Sequence, residues 1–305
     1  MDKIELNILK EIAGLHKIPE GAYNIRVNGQ AEARNSSANV EIVQKTDKPG
    51  IDIIIKPNTK NESVHIPVIL SKSGITESVY NDFYIGENAD VVIVAGCGIH
   101  NCGTEVSRHD GIHAFHVGKN AKILYVEKHY GEGTGESNNV MNPTTEITLE
   151  EGAHMEMQTT QIKGIASTVR VTKATAGAGA TLLVRENIMT HGNQFAETDF
   201  TVDLNGEGAS ADIVSRSVAK ENSRQNFLSR MNGNAPCHGH TECDAILMDN
   251  AVVSAIPELT AANVDAELVH EAAIGKIAGE QLTKLMTLGL TEKEAEEVIV
   301  SGFLK

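Results

Sequence analysis

The sequence contains no tryptophan, and aromatic residues make up only 4% of it, although 41% of its residues are apolar. A chain of 305 residues can bury a large core. Without bulky rings, that core must be filled by valine, isoleucine, leucine and alanine, and β-branched side chains pack well on pleated strands. The composition therefore predicts a mainly β protein.

Positive charge is scarce as well, since 26 Lys and Arg residues stand against 41 Asp and Glu residues, a net charge of −15. This field repels phosphate backbones and anionic lipids, which excludes nucleic acid and membrane surfaces as expected partners. No apolar run approaches the roughly 18 residues of a membrane span. Residues 1–16 carry acidic side chains within their apolar pattern, unlike a signal peptide. We therefore expect a cytoplasmic protein.

Cysteine is limited to Cys97, Cys102, Cys237 and Cys243. In a cytoplasmic protein these residues are expected to be thiols rather than disulfides, available as metal ligands or nucleophiles. The phosphate-binding pattern G-x₄-G-K-[ST] is missing too, so we do not expect the chain to hydrolyse ATP.

A repeated pattern fills the middle of the chain. A turn of Gly, Asn or Glu is followed by alanine and then by an alternating apolar strand, and the anchoring alanines are Ala38, Ala89, Ala121, Ala153, Ala180, Ala209 and Ala251. From Ala89 to Ala209 their spacings are 32, 32, 27 and 29 residues. Such even spacing is typical of a solenoid, and the β-branched strands favour a β-helix over a β-sandwich with similar turns.

The two ends of the chain carry helical patterns instead. Apolar residues from Ile4 to Leu15 predict a short amphipathic helix within an N-terminal segment, residues 1–30. Residues 31–265 are then the β-helix core, and residues 266–305 are a C-terminal helical segment.

Two helices are expected in the C-terminal segment. Apolar spacing from Ile274 to Met286 predicts the first, which Gly289 ends as a C′ residue. Thr291 and Glu294 form the pattern of a capping box that opens the second. The resulting hairpin either caps the solenoid or provides a docking surface.

The densest group of metal-competent side chains lies between residues 237 and 244: Cys237, His238, His240, Glu242, Cys243 and Asp244. If this segment is a strand, Glu242 and Asp244 point away from Cys243, because successive side chains alternate between faces. The pattern leaves open which face is inward, and whether Cys243 is a ligand or a small buried side chain.

A second candidate site is the pair His270 and Glu271, where the solenoid gives way to helix. Thiolates and imidazoles both ligate iron. Glu271 can orient the imidazole, supply a labile oxygen ligand or cap the helix.

A third concentration contains Cys97, His100, Cys102, His109, His113 and His116. Its C-x₄-C spacing does not match a zinc knuckle. Strand alternation places His113 and Phe115 on one face and His116 on the other, so these residues cannot all serve one metal ion. Their role stays unassigned.

Several segments resemble the SufB/SufD family. They are TECD around Cys243, the HEA triplet of residues 270–272, EQLTKLMTLGLTEKEAEEVIVSGF near the end, and the earlier segments GAYNIRVNG and HDGIHAFHVGKNAKILYVEKHYGEG. The resemblance implies a right-handed parallel β-helix. It also implies a complex with the ABC-type ATPase SufC, docked on the C-terminal helices, and an iron–sulfur cluster built where two β-helix subunits meet.

The resemblance also implies roles for individual residues. Cys243 would be the sulfur acceptor and a cluster ligand, faced by His270 and Glu271 of a partner subunit. Cys237 and His240 are further candidate metal ligands because they belong to the dense group around Cys243, apart from any resemblance. Because one chain carries both elements, the simplest hypothesis is a homodimer bound to two ATPase subunits.

This homodimer would act as a scaffold rather than an enzyme. It would take sulfur from a donor, hold a transient 4Fe–4S cluster and pass it to apo-proteins. Two alternatives remain: a structural regulator of the ATPase without a cluster, and a metal-dependent β-helix enzyme.

Overall fold

Two stacked sheets form the body of the molecule in the computed structural model, which describes residues 1–135 and 138–304. They build a β-solenoid of about eight turns, and strands make up 59% of the chain. The predicted mainly β solenoid is therefore confirmed.

The first sheet contains, in spatial order, β2 (Gln30–Asn35), β1 (Ala22–Val27), β5 (Lys60–Leu70), β7 (Asp90–His100), β9 (Lys122–Glu132), β12 (His154–Lys163), β14 (Thr181–Thr190), β16 (Ala209–Ala219), β18 (Cys237–Leu247) and β20 (Ala266–Gly275). Neighbouring strands run parallel, except that β1 and β2 are antiparallel.

The second sheet contains, in spatial order, β19 (Val252–Ala261), β17 (Arg224–Gly233), β15 (Phe195–Leu204), β13 (Ser167–Ala176), β10 (Asn139–Met141), β8 (Ser107–Val117), β6 (Thr76–Ile85), β4 (Gly50–Ile55) and β3 (Val40–Gln44). Strand β11 (Thr144–Leu149) also joins β13 to β8. Strands β3 and β4 are antiparallel.

The repeated turn forms a corner of the solenoid. Each of five corners has a residue with positive φ just before its alanine: Asn88, Asn120, Gly152, Gly179 and Gly208. Asn and Gly enter this left-handed region at the lowest cost. The alanines that follow are fully buried because the corner leaves no room for a larger side chain: Ala89, Ala121, Ala153, Ala180 and Ala209. They lie at or just before the starts of first-sheet strands, which explains the spacing near 30 residues.

Helix α1 (Lys3–Ala13) lies on the outer face of the first sheet, which confirms the predicted N-terminal helix. Ile8 and Ile12 of this helix are buried against β7. The close approach requires glycine in that strand, since a Cβ at Gly98 would lie 2.1 Å from Ile8 Cγ2 and one at Gly96 would lie 2.5 Å from the Ile12 carbonyl oxygen. Strands β1 and β2 then follow, so residues 22–30 already belong to the first sheet.

The C-terminal helices are α2 (Gly279–Thr287) and α3 (Glu292–Phe303). The prediction of a helix from Ile274 is wrong at its start, because Ile274 continues the alternating pattern of β20 and the helix begins at Gly279. Residues 266–275, expected at the beginning of the helical segment, are therefore the last strand of the solenoid.

The ends of these two helices follow the sequence prediction. Gly289 has φ +97° directly after the C-cap of α2, and Thr291 and Glu294 form the capping box of α3. Among residues 1–135 and 138–304, no helix is long and apolar enough to cross a membrane.

Candidate functional site

The two C-terminal candidate motifs meet on neighbouring strands. Strand β18 carries Cys243 and β20 carries His270, and the strands pair in parallel at the last turn of the solenoid. In this register Glu242 lies beside Glu271, and Cys243 lies beside Ala272. The motifs TECD and HEA are thus adjacent in one chain, although 27 residues separate Cys243 from His270 in the sequence.

Cys243 faces the interior of the solenoid, where its side chain is 1% exposed and belongs to the main apolar core. Of the two orientations left open by the sequence, the structure therefore has the cysteine inward and the carboxylates outward. Burial, followed by the charges of Glu186 and Asp244, raises the pKa of the Cys243 thiol to about 12. In this closed arrangement the sulfur is protonated at neutral pH and shielded from reactants.

His270 faces the same interior. It pairs with Thr241, two positions before Cys243, so strand geometry places the Cβ atoms of His270 and Cys243 about 8 Å apart. Burial lowers the pKa of His270, and its Nδ1 atom makes no hydrogen bond of ordinary geometry within the described residues. A neutral imidazole with a free nitrogen is the form that binds a metal ion.

His240 and Glu271 lie on the opposite, outer face of the same two strands. His240 Nδ1 is 2.8 Å from Asp212 Oδ1, and His240 Nε2 is 3.7 Å from Glu271 Oε2. Ligand atoms of His240, Glu242 and Glu271 all lie within 4.8 Å of one another. We call these three residues the outer triad.

The charges around the outer triad suit a cation. Burial and the neighbouring Asp244 raise the pKa of Glu242, because two carboxylates crowd each other there. Burial would also raise the pKa of Asp212, but hydrogen bonds from His240 and Arg185 outweigh it and lower that pKa. A carboxylate on one imidazole nitrogen orients the other nitrogen toward a metal ion, as Asp212 does for His240.

The predicted ligands therefore fall into separate groups. Cys243 and His270 share the interior, while His240 and Glu271 share the exterior. Cys237 is also buried, but it lies six residues from Cys243 along one strand, about 20 Å away, and cannot bind the same metal ion. Glu242 was named from the sequence among the metal-competent side chains but was not chosen as a ligand, although alternation along β18 places it on the face of His240. Asp212 was not singled out from the sequence.

A cavity of about 560 Å³ opens on this outer face. It crosses four strands of the first sheet and has mostly polar walls, which include Arg185, Asp212, Arg216, His240 and Glu242. The outer triad thus lies at the rim of a groove that a small charged molecule can enter.

A row of polar side chains runs through the interior and ends at Cys243. Glu127, Thr159, Glu186, Ser215 and Cys243 occupy successive positions of the sheet register. Ser215 lies between Glu186 and Cys243, and its Oγ donates to Glu186 Oε2 at 2.8 Å. Local sequence patterns could not predict this row, because each member comes from a different turn of the solenoid.

Arg170 holds the other end of the row. It contacts Glu127 and lies 3.5 Å from Glu186, and all three side chains are buried. Arg170 thereby holds the pKa of Glu127 well below its usual range against the effect of burial. The charges inside the solenoid are therefore paired, as burial requires.

The third concentration divides between interior and surface. Cys97, His109 and His113 point inward, whereas Cys102 and His116 are exposed. The prediction that these residues cannot all serve one metal ion is confirmed. Burial raises the pKa of Cys97, but His109 and His129 outweigh it and lower that pKa to about 7.

Comparison with known proteins places these observations in a family. Residues 74–303 match the family described as SUF system FeS cluster assembly, SufBD core domain. An iron–sulfur cluster assembly SufBD family protein of Methanothermobacter thermautotrophicus is 31% identical over 75% of this chain and 56% of its own length. A protein of that description from Methanocaldococcus jannaschii is 29% identical over 83% of this chain and 79% of its own length.

A third relative, from Pyrococcus horikoshii, is 27% identical over 96% of this chain and 84% of its own length. The matched region contains β18, β20 and both C-terminal helices, which are the elements that carry the TECD and HEA motifs. The chain belongs to the SufBD family of iron–sulfur cluster assembly proteins.

Proposed function

We propose that this protein is a scaffold on which an iron–sulfur cluster is assembled, with Cys243 accepting the sulfur and ligating the cluster. The observation that carries the proposal is the pairing of β18 with β20, which puts Cys243 and the imidazole of His270 on one interior surface. Thiolate and imidazole together are known cluster ligands. Family membership supports a role in cluster assembly, and the strand pairing supports Cys243 and His270 as the proposed ligands.

The scaffold works as a homodimer whose subunits meet at the last turn of the solenoid. Strands β19 and β20 are the final strands of their sheets, so each leaves one edge unpaired. Exposed apolar side chains line this end, including Val252, Ile256 and Val269. Unpaired edges with apolar side chains favour pairing with another chain, and a second copy would bring its own His270 and Glu271 to the same place.

The C-terminal hairpin is the docking surface for the ATPase, proposed to be SufC. Helix α2 has no buried residue, and Met286, Leu288 and Val298 are exposed on the hairpin. ATP-driven closure of the ATPase dimer pulls on the hairpins and opens the last turn. This opening is needed because Cys243 is closed off from solvent, and it lowers the pKa of the thiol by restoring water around the sulfur.

Iron enters as a substrate at the outer triad. His240, Glu242 and Glu271 offer one imidazole and two carboxylates, a set with lower affinity for iron than four thiolates. Glu271 belongs to the same strand as His270, so movement of β20 moves both ligand groups together. A transient 4Fe–4S cluster held in part by such labile ligands can leave for apo-proteins in the cytoplasm.

A metal-dependent enzyme is the second candidate, and the groove beside the outer triad is the observation that favours it. Zinc with three protein ligands and an open position is the usual arrangement of a hydrolytic site.

Anaerobic reconstitution separates these functions. The purified chain is incubated with ferrous iron and sulfide, and the visible spectrum, iron content and acid-labile sulfide are measured. A scaffold gives a charge-transfer spectrum with iron and sulfide in equal amounts. Stoichiometric zinc without sulfide, retained through purification, supports the enzyme instead, and the absence of both a cluster and a metal ion supports a purely structural role.

A further inference from the structure

A cavity of about 550 Å³ lies at the first end of the solenoid, where residues of two hairpins line it. One hairpin is formed by β1 and β2, which turn at Asn28 and Gly29. The other is formed by β3 and β4, and the backbone N–H of Lys45 donates to the Gly50 carbonyl oxygen across its turn. We call this space the hairpin cavity. Because β1 to β4 lie near the opposite ends of the two sheets from β18, β19 and β20, the hairpin cavity is separate from the last turn.

Positive charge is concentrated around the hairpin cavity. Among the described residues, four cations line it, Arg26, Arg34, Lys45 and Lys48, together with one acidic residue, Asp47. The chain as a whole has the opposite balance, with 26 basic against 41 acidic residues. A local excess of cations around a cavity attracts anions, even in a protein whose net charge is negative.

Two of these cations have no carboxylate partner in the part of the chain that the structure describes. Arg34 Nε donates to Asn24 Oδ1 at 2.9 Å, and Arg34 Nη1 is 3.4 Å from Gln44 Oε1, so both of its partners are neutral amides. Lys48 Nζ lies 4.6 Å from the centroid of the Tyr80 ring. The charges of Arg34 and Lys48 are therefore available to a ligand.

The other two cations are held in place by carboxylates that do not line the cavity. Arg26 Nη2 is 2.9 Å from Glu77 Oε2, and Lys45 contacts both Asp52 and Asp82. The side chains of Arg26 and Lys45 are consequently only 11% and 7% exposed. Arg26 Nε makes no hydrogen bond of ordinary geometry within the described residues, although buried donors normally have a partner. An orphaned donor thus lies beside the hairpin cavity.

The two guanidinium groups repel each other. Burial, followed by the positive charge of Arg26, lowers the pKa of Arg34. Both groups stay charged at neutral pH, because arginine is not deprotonated in proteins. An anion bound near both would offset this repulsion, and guanidinium and ammonium donors suit the oxygens of a phosphate group.

We propose that the hairpin cavity binds a small phosphate compound with at least two negative charges, held by Arg34 and Lys48 and supported by Arg26. Arg34 belongs to β2 and Lys48 to the turn after β3, so the bound phosphate ties the two hairpins together. The volume of the cavity is that of a small-molecule pocket. Free pyrophosphate and a phosphate-bearing metabolite share the recognised chemistry.

Isothermal titration calorimetry of the full-length protein with sodium pyrophosphate tests this proposal. Ionic strength is held constant and divalent cations are left out, so that only the cations of the protein meet the ligand. We expect Arg34→Gln and Lys48→Gln each to raise the dissociation constant at least about tenfold, since each removes a charged donor. Lys48 is exposed, so Lys48→Gln keeps the test valid if Arg34→Gln unfolds.

The matched controls remove one exposed cation elsewhere. Arg224 begins β17 and Lys122 begins β9, and neither lines the hairpin cavity. We expect Arg224→Gln and Lys122→Gln to bind pyrophosphate within about twofold of the wild type at about 0.15 M salt, where distant charges are screened. Equal weakening in the controls would overturn the proposal, because it would show general attraction to positive charge.

Further ligands distinguish the sources of the phosphate group. ADP and pyrophosphate binding with equal affinity assigns the phosphate groups alone, whereas ADP binding at least about tenfold tighter assigns a nucleotide. Citrate binding as tightly as pyrophosphate would overturn the choice of phosphate. No binding of either phosphate compound, or unchanged affinity in both Arg34→Gln and Lys48→Gln, would overturn the site itself.

Thermal unfolding gives a second measurement. Excess pyrophosphate should raise the Tm of the wild type, because the ligand binds the folded chain, and should raise that of Lys48→Gln less. These experiments contain no iron or sulfide. The hairpin cavity and the scaffold function can therefore each fail while the other stands.

Discussion

Protonation of a buried thiol depends on the charges that surround its sulfur atom. Cys243 and Cys97 both face the interior, yet their pKa values move in opposite directions, to about 12 and about 7. Burial and the negative charges of Glu186 and Asp244 favour the neutral thiol of Cys243. Cys97 lies between His109 and His129, whose positive charge favours the thiolate.

This difference predicts a pH titration of Cys97. Its pKa in the folded protein lies below the ordinary value of 9.0, so thiolate absorbance in the ultraviolet should rise with pH around pH 7. The signal is measured as the difference between the wild type and Cys97→Ala. Cys237→Ala is the matched control, since burial raises the pKa of Cys237 and its difference signal should appear only above pH 9.0.

Ionisation of Cys97 makes the free energy of unfolding depend on pH in a defined direction. Because the folded pKa of Cys97 is lowered, its contribution to stability is present above pH 9.0 and is lost as the pH falls through about 7. A difference spectrum of Cys97→Ala with no step between about pH 6 and pH 8 would contradict the assignment.

At the residue scale, the sequence predicted which side chains of β18 share a face, but not how neighbouring strands bring side chains together. Alternation along β18 correctly separated Cys243 from Glu242 and Asp244, but parity alone does not say which face is buried. The pairing of Glu242 with Glu271 depends on the register between two turns, and that register is set by corner lengths along the whole solenoid. The outer triad therefore could not be predicted from local sequence patterns.

The elements of the chain show where small residues decide packing. Gly96 and Gly98 alternate with inward residues of β7, so a smooth strip of backbone faces outward beneath α1. The helix covers this strip with Ile8 and Ile12. The apolar spacing of the sequence predicted the helix, but it did not predict that the helix packs on β7.

Replacement of Gly98 by alanine should weaken this contact. The added Cβ would lie 2.1 Å from Ile8 Cγ2, so the helix must shift, at a cost of about 1–3 kcal/mol in the free energy of unfolding. Urea denaturation measures the loss, and proteolysis near the N-terminus shows whether α1 has loosened.

A control for this substitution is Gly302→Ala in α3, where an added Cβ meets nothing within 4 Å. This change should be neutral or stabilise by about 0.5–1 kcal/mol, because alanine favours a helix over glycine. If Gly98→Ala were as stable as the wild type, that result would contradict the close packing of α1 against β7.

The C-terminal boundary shows the limit of periodicity. Ile274 and Ile277 fit a helical spacing, but Ile274 also fits the alternation of β20, and pairing with β18 selects the strand. The spacing of apolar residues carries no information about the hydrogen bonds between β20 and β18. In contrast, Gly289 and the Thr291–Glu294 capping box were predictable because caps are local contacts.

The whole molecule is asymmetric along the solenoid axis. At the first end, antiparallel pairs close both sheets, with β2 beside β1 and β3 beside β4. At the last end, β19 and β20 present free edges with apolar side chains. The candidate ligands lie at this open end, which is why we place the subunit interface there.

Introducing a charge at the open end should break the proposed homodimer. Ile256 on β19 is 55% exposed. In Ile256→Lys, two like charges meet across a two-fold interface, so the dimer dissociation constant should rise at least about a hundredfold. Sedimentation velocity over a concentration series measures the change.

The matched control is Ile54→Lys, because Ile54 is also exposed, at 39%, but lies on β4 near the other end. We expect this variant to remain dimeric. If only Ile54→Lys lost the dimer, the interface would lie away from the last turn. If both variants stayed dimeric, the last turn would be excluded as the interface.

The whole-molecule function rests on family resemblance more than on any single element. The repeat predicted the solenoid, but nothing in its spacing indicates iron or sulfur. That information came from the TECD and HEA motifs, and the structure adds that both motifs belong to one pair of strands.

Cluster retention by thiol variants tests the central claim most directly. Cys243→Ser and Cys237→Ser each alter one buried cysteine of β18, and circular dichroism checks that both variants fold. After anaerobic reconstitution, iron and acid-labile sulfide are counted per chain. The account predicts that Cys243→Ser loses the cluster while Cys237→Ser keeps it, and full cluster content in Cys243→Ser would contradict it.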